Sequence, residues 1–221
     1  MGSPCGPEKG LQTNAIIYRT ERFAPVGDRH TWQAFAMIDG SCRRSGLART
    51  MYVMHRFRDR VAGRDVNVVS LHWSTNSGSG PDPACAERNI DDLDAVAHRA
   101  AYEADLLIVG GDANEPDRTA SGALRPWYRR ATGALDYTDP VHEACMAAAN
   151  PQACLDAHWT IGSERRIDFL FAQTGAGCAA TTGREHTISF DEADDAARMI
   201  SGSDTALNYS DHRAVQAEVY Y

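Results

Sequence analysis

Lysine is nearly missing from this 221-residue chain: Lys9 stands alone, and the positive charge falls almost wholly on arginine. Basic residues are outnumbered, 22 Lys and Arg against 30 Asp and Glu, a formal net charge of −8. That balance argues against a protein that coats polyanions through a general basic surface. It leaves room for an enzyme that meets phosphates through a bound cation, because the metal inverts the local charge. No apolar stretch approaches the roughly 20 residues that span a bilayer. The opening "MGSPCGPEKGLQT" has no apolar core of the kind that directs secretion. It reads as a cloning remnant, a truncation or an internal beginning. No internal repeat, heptad or low-complexity tract is visible. Hydrophobic residues at 43% and charged residues at 24% are ordinary globular values, which excludes disorder as the default.

None of the six cysteines (5, 42, 85, 145, 154 and 178) forms a Cys-x-x-Cys pair, which removes the usual zinc-finger and thioredoxin-like readings. Cys145 and Cys154 flank a short Ala/Asn/Pro loop that a disulfide could close. An even count leans toward an oxidising compartment and hence secretion, with buried free thiols as the alternative. The chain length suits one domain over 1–221, residues 1–10 being a disordered or vestigial start.

Most of the pattern is strand-like. Segments 14–23 and 31–39 read as strands parted by a turn at Pro25 and Gly27. Segments 50–59 and 65–73 read as a hairpin around Ala62-Gly63. In the second, Val66, Val68 and Ser70 face one way, and Asn67, Val69 and Leu71 the other. A Ser/Gly/Pro-rich loop over 74–86 is a candidate rim or lid. Ile90, Leu93, Ala97, Ala100, Ala101 and Ala104 recur at helical spacing, predicting an amphipathic helix over 87–105. Short helices are expected near 124–131 and 141–149, strands over 106–109, 166–173 and 212–221, and a polar loop over 174–208. Many strands and few helices imply stacked sheets flanked by helices, an α+β arrangement.

Four short signals carry chemistry. In "LLIVGGDANEPD" a buried-looking strand runs into Gly110 and Gly111, which permit a turn or a close approach, and then into Asp112 and Asn114. The bland reading is an Asx-type turn. In "SLHWS", His72 ends a strand; a lone histidine there is more often structural. In "RRIDFLF", Asp168 sits among apolar residues, where a carboxylate is costly unless its oxygens are satisfied. In "NYSDHRAV", Asp211 and His212 open the last strand. If strand ends bring these residues to one rim, carboxylate and amide oxygens there suit Mg²⁺, Mn²⁺ or Ca²⁺. Histidines held by carboxylates can act against phosphate oxygens. Asp168 turned toward His212 would account for its own cost.

"GGDANEPD", "RIDFLF" and "YSDHRAV", in that order and after "SLHWS", resemble the endonuclease/exonuclease/phosphatase superfamily with its deoxyribonuclease-I-like fold. The histidine strand, long helix and Gly-Asp-x-Asn strand also resemble the nuclease subunit of cytolethal distending toxins. The resemblance covers about residues 11–221. It implies two stacked, mostly antiparallel sheets flanked by helices, and a metal-dependent phosphodiesterase, a nuclease before other substrates. Carried onto this chain, Asp112 activates or orients the attacking water and Asn114 holds a phosphate oxygen. Asp211 contacts the metal. His212, held by Asp168, binds the scissile phosphate, with His72 as second histidine. The implied cofactor is Mg²⁺, or Mn²⁺ or Ca²⁺, and the implied partner a phosphodiester, DNA first. In that family an asparagine and a metal-binding glutamate lie on strands upstream of the match, so the fold is expected in an N-terminally truncated form. Glu8, in "PEKG", is not assigned the glutamate's role.

Two alternatives stay open. One keeps the chemistry and changes the substrate to an inositol phosphate or sphingomyelin, which the fold alone cannot decide. The other is a non-catalytic binding module on the same scaffold. The arginine pairs Arg129-Arg130 and Arg165-Arg166 read as solvated surface rather than phosphate clamps.

Overall fold

The computed structural model describes residues 14–34, 51–73, 84–161, 165–188 and 212–220. Within them a five-stranded sheet has the order β1-β2-β3-β4-β5: Phe23–Gln33, Met51–Asp59, Arg64–His72, Leu106–Asp112 and Asp168–Thr174. Only the β3–β4 pair is parallel among these neighbours. A second sheet pairs β6 (Thr181–Ile188) with β7 (Ala214–Tyr220) antiparallel. The helices are α1 (Cys85–Ala97), α2 (Pro126–Arg129, running on as a π-turn to Ala134), α3 (Pro140–Met146) and α4 (Pro151–Ala157). This is the expected α+β arrangement of sheets and flanking helices.

Alternation along β3 divides the core as the sequence pattern requires. Val69 and Leu71 join Ile90, Leu93 and Val96 of α1 and the aromatics Trp127, Phe169 and Phe171 in the main cluster. Val66 and Val68 face the other way, with Leu106, Ile108 and Ala172, toward Val219 of the small sheet. A third cluster, Val141, Cys145 and Leu155, packs α3 and α4 near Val215. The Cys145–Cys154 disulfide ties these two helices together, as the spacing allowed.

Several expectations need correction. Residues 14–19 are not a strand; the turn falls at 20–22, and β1 runs straight over Pro25 and Gly27. Proline is tolerated there because, among the described residues, β1 is an edge strand that pairs only with β2. Gly27, at φ +69°, begins a bulge in which residues 27–29 stand opposite His55. The expected strand over 31–39 ends at Gln33, and 35–39 lie outside the described residues. The helix expected over 87–105 stops at Ala97. Arg99 is extended (φ −66°, ψ 143°), and a single 3₁₀ turn at Ala100–Tyr102 follows. Ala100 and Ala101 are exposed, so their helical spacing reflected no packing face. Residues 174–208 were expected to be loop, yet β6 forms over 181–188. Its Thr-rich, polar sequence pairs with β7 with little apolar signal of its own. The candidate lid over 74–86 lies outside the described residues except at 84–86, where α1 begins.

A buried ion-pair network anchors the entry to β5. Arg166, 5% exposed, reaches Asp117 at 2.8 Å and Asp139 at 2.7 Å, and lies over the rings of Phe169 and Tyr128. Asp139 also caps α3 by accepting from Val141 N and His142 N, and accepts from Tyr128 Oη at 2.7 Å. Arg166 is therefore structural and not the solvated surface residue expected. Arg129 and Arg130 are exposed as expected, Arg130 pairing with Asp91.

Candidate active site

Sheet register puts the site residues in a row. His72 is the Cα partner of Asp112 across the parallel β3–β4 pair, and Asp112 is the partner of Asp168 across β4–β5. Directly paired residues point to the same face. His72, Asp112 and Asp168 thus stand side by side at one end of three adjacent strands, on the face turned toward β6 and β7. Asp168 is the first residue of β5, so it lies at the rim rather than mid-strand as its apolar neighbours implied.

The residues next in sequence point to the opposite face and hold the row in place. Trp73 and Phe169 both pack edge-on against the buried Trp127, at 5.2 Å between ring centroids. Such pairs are worth about 0.5–1.5 kcal/mol each beyond their buried area. Between them Gly111 has no side chain for a steric reason. A Cβ there would fall 2.1 Å from Leu71 O, and its φ of +139° favours glycine. The two glycines thus carry β4 on to Asp112 through a close approach instead of turning it at Val109.

His212 completes the group from the other sheet. The chain entering β7 bridges to Ile161, and Arg213 N donates to Thr160 O at 2.8 Å. His212 Nδ1 then donates to Asp168 Oδ2 at 2.8 Å. This is the partner that the in-strand carboxylate was expected to need. Thr160, which sequence reasoning missed, accepts at its hydroxyl from Ile167 N (2.9 Å) and Asp168 N (3.0 Å), fixing the backbone beneath the carboxylate. Nothing in "HWTIGS" marks it; its role follows from a loop folding back on β5.

Asp112 Oδ1 accepts from Asn114 N at 2.6 Å, so the local Asx turn of the bland reading is present. Asn114 is at φ +51°, and its Nδ2 donates to Trp73 O at 2.9 Å and to Asp112 Oδ2 at 3.0 Å. Both amide hydrogens are thus committed to orienting Asp112, and a contact to a phosphate oxygen requires one of them to be released. His72 Nε2 lies 3.5 Å from Asp112 Oδ2. Asp211 lies outside the described residues.

The carboxylates are recessed, with side chains 17% and 18% exposed, while His72 and His212 at 32% and 26% sit at the mouth. Burial pushes the Asp112 carboxyl above its usual range, and the negative charge of Asp168 pushes it further. Burial also raises Asp168, against the lowering effect of the His212 hydrogen bond. Asp112, Asp168 and His212 each offer a ligand atom within 4.8 Å of the other two. Two recessed carboxylates whose charged forms disfavour each other fit a hard divalent cation, which would relieve both costs.

No family model matches the sequence, and no match to a curated protein was found. Solved structures do match in fold. An endonuclease/exonuclease/phosphatase family protein from Bacteroides thetaiotaomicron superposes with a TM-score of 0.60 at 15% identity, over 91% of this chain and 67% of that one. A mannosyl-6-phosphatase from B. thetaiotaomicron VPI-5482 gives 0.56 at 15% identity, over 92% and 69%. A humanized TDP2 of D. rerio gives 0.56 at 13% identity, over 92% and 70%. With five further matches, this chain spans between 45% and 70% of the other chain's length. The order of motifs, the register that aligns them and these superpositions agree: the chain has the endonuclease/exonuclease/phosphatase fold, the deoxyribonuclease-I-like sandwich.

Proposed function

We propose that the chain is a metal-dependent phosphodiesterase, a nuclease that hydrolyses nucleic-acid phosphodiester bonds by in-line attack of an activated water. The observation that carries this reading is the His212–Asp168 hydrogen bond set against Asp112 across one rung of the sheet. With Nδ1 committed to Asp168, His212 presents Nε2 to a ligand, its tautomer fixed by that hydrogen bond. It binds the scissile phosphate and stabilises the charge that develops there. Asp112, aligned by Asn114, orients the water and takes its proton. His72 serves as the second phosphate ligand or acid. Asp112 and Asp168 would hold the cation, together with Asp211; Mg²⁺, Mn²⁺ or Ca²⁺, when bound, supplies charge neutralisation at the phosphoryl group. The Cys145–Cys154 disulfide supports work in an oxidising, extracellular setting.

A second reading is hydrolysis of a phosphate monoester: one structure of the same fold is a mannosyl-6-phosphatase, and the fold alone does not separate the two substrates. A substrate panel separates the two. With Mg²⁺ or Mn²⁺, the nuclease reading expects nicking of supercoiled plasmid and cleavage of bis(p-nitrophenyl) phosphate, with little turnover of p-nitrophenyl phosphate or mannose 6-phosphate. Turnover of the monoesters alone transfers the assignment to the second reading. Turnover of none of the four removes the enzyme reading and leaves a binding module.

A further inference from the structure

Beside the catalytic rim lies a second concavity of about 480 Å³, within the size range of small-ligand sites. Four arginines line it, Arg118, Arg125, Arg165 and Arg166, against the carboxylates of Asp117 and Asp156. In a chain of net charge −8 this is a local reversal of sign. Asp117 is committed to Arg166 at 2.8 Å and to Arg118 at 3.2 Å, and Asp156 accepts from Gln152 Nε2 at 2.5 Å. Arg125 has a buried Nε with no hydrogen-bond partner among the described residues.

Trp159 forms part of the same lining and is half-buried. The Arg213 guanidinium lies 3.2 Å from its ring centroid, and Arg213 is not itself part of the pocket wall. A cation therefore holds the indole in place while the rest of its surface meets the pocket. The placement couples this pocket to the catalytic row. Trp159 precedes Thr160, whose hydroxyl accepts from Asp168 N, and Arg213 follows His212. Pro116, two residues after Asn114, also lines the pocket.

We propose that this pocket is a subsite for the nucleotide adjoining the scissile phosphate, with Trp159 stacking its base and Arg125 taking its phosphate. Guanidinium forks match phosphate oxygens in geometry and charge, and a pinned aromatic ring accepts any base. The inference rests on the phosphodiesterase reading for its biological sense, but its test does not use turnover.

The test is calorimetric titration of the metal-free protein with dTMP, thymidine and inorganic phosphate. The chains compared are wild type, Arg125→Gln, Trp159→Ala, Trp159→Phe and His212→Ala. Expected is dTMP binding that is at least tenfold weaker in Arg125→Gln and Trp159→Ala, largely kept in Trp159→Phe, and reduced less by His212→Ala than by Arg125→Gln or Trp159→Ala. Thymidine and phosphate alone should each bind more weakly than dTMP. The subsite is overturned if wild type does not bind dTMP, or if phosphate binds as tightly. It is equally overturned if His212→Ala abolishes binding while Arg125→Gln and Trp159→Ala keep it. A wild type that binds dTMP in this pattern yet hydrolyses no phosphodiester with Mg²⁺ contradicts the nuclease reading and leaves the subsite standing.

Discussion

Asp112 carries the conflict between stability and chemistry that defines the site. Its carboxyl is raised by burial first and by Asp168 second. A carboxyl whose folded-state pKa exceeds its unfolded one binds more protons folded than unfolded between the two values. Stability therefore falls as pH rises through that window, and the cost is present in full above the folded value. Asp112→Asn removes this cost and keeps an oxygen to accept from Asn114 N, while losing the weaker bond from Asn114 Nδ2. In the metal-free protein at pH 7 it should raise stability by about 0.5–2 kcal/mol in urea unfolding, a gain that shrinks on acidification. Equal stability of variant and wild type at pH 7 contradicts the assignment of strain to this pair. Arg166 presents the opposite case. Arg166→Ala leaves Asp117 and Asp139 buried without their cation and should destabilise by about 3–5 kcal/mol, read as a lower urea midpoint.

At the scale of elements, β4 sets the site because its register aligns His72, Asp112 and Asp168. Gly111→Ala places a methyl against Leu71 O at a φ that side chains rarely adopt. It should cost roughly 2–4 kcal/mol and misplace Asp112, so that stability and activity fall together. Loss of activity with an unchanged denaturation midpoint goes against this account. The same strand shows what the sequence reveals and what it hides. The apolar run of 106–109 was legible as a continuous buried stretch and the hairpin from its Ala62-Gly63 turn, while the two faces of β3 were legible because burial writes a period of two. Asp168 was legible as a carboxylate in need of a partner, and His212 as that partner. The end of α1 was not legible, since alanine satisfies a helical pattern without burying anything. Nor was β6, whose residues are held by pairing with a strand some 30 positions later. Thr160 and the Arg166 network were hidden because polar residues leave no periodic trace, and the partners of Arg166 are also distant in sequence.

On the scale of the whole molecule, the row of candidate site residues lies where the two sheets meet, and His212 must be delivered from the chain entering the small sheet to the large one. The α3–α4 pair supports that delivery, with Val215 of β7 packed on the Cys145–Cys154 region. The disulfide closes a segment with sequence separation 9. Its removal in Cys145→Ser/Cys154→Ser should cost roughly 2–3 kcal/mol by loop-closure entropy, seen as a lower melting temperature. A melting temperature unmoved by the double substitution means that these helices are held by packing alone. The central claim is that side chains from both sheets act as one catalytic group. Its most direct test is the rate of Mg²⁺-dependent plasmid nicking by wild type, Asp168→Asn and His212→Ala, and by the double variant. The account predicts that each single substitution lowers the rate at least a hundredfold and that the double variant is little worse than either, as expected of residues acting together. Nicking by His212→Ala at the wild-type rate contradicts it.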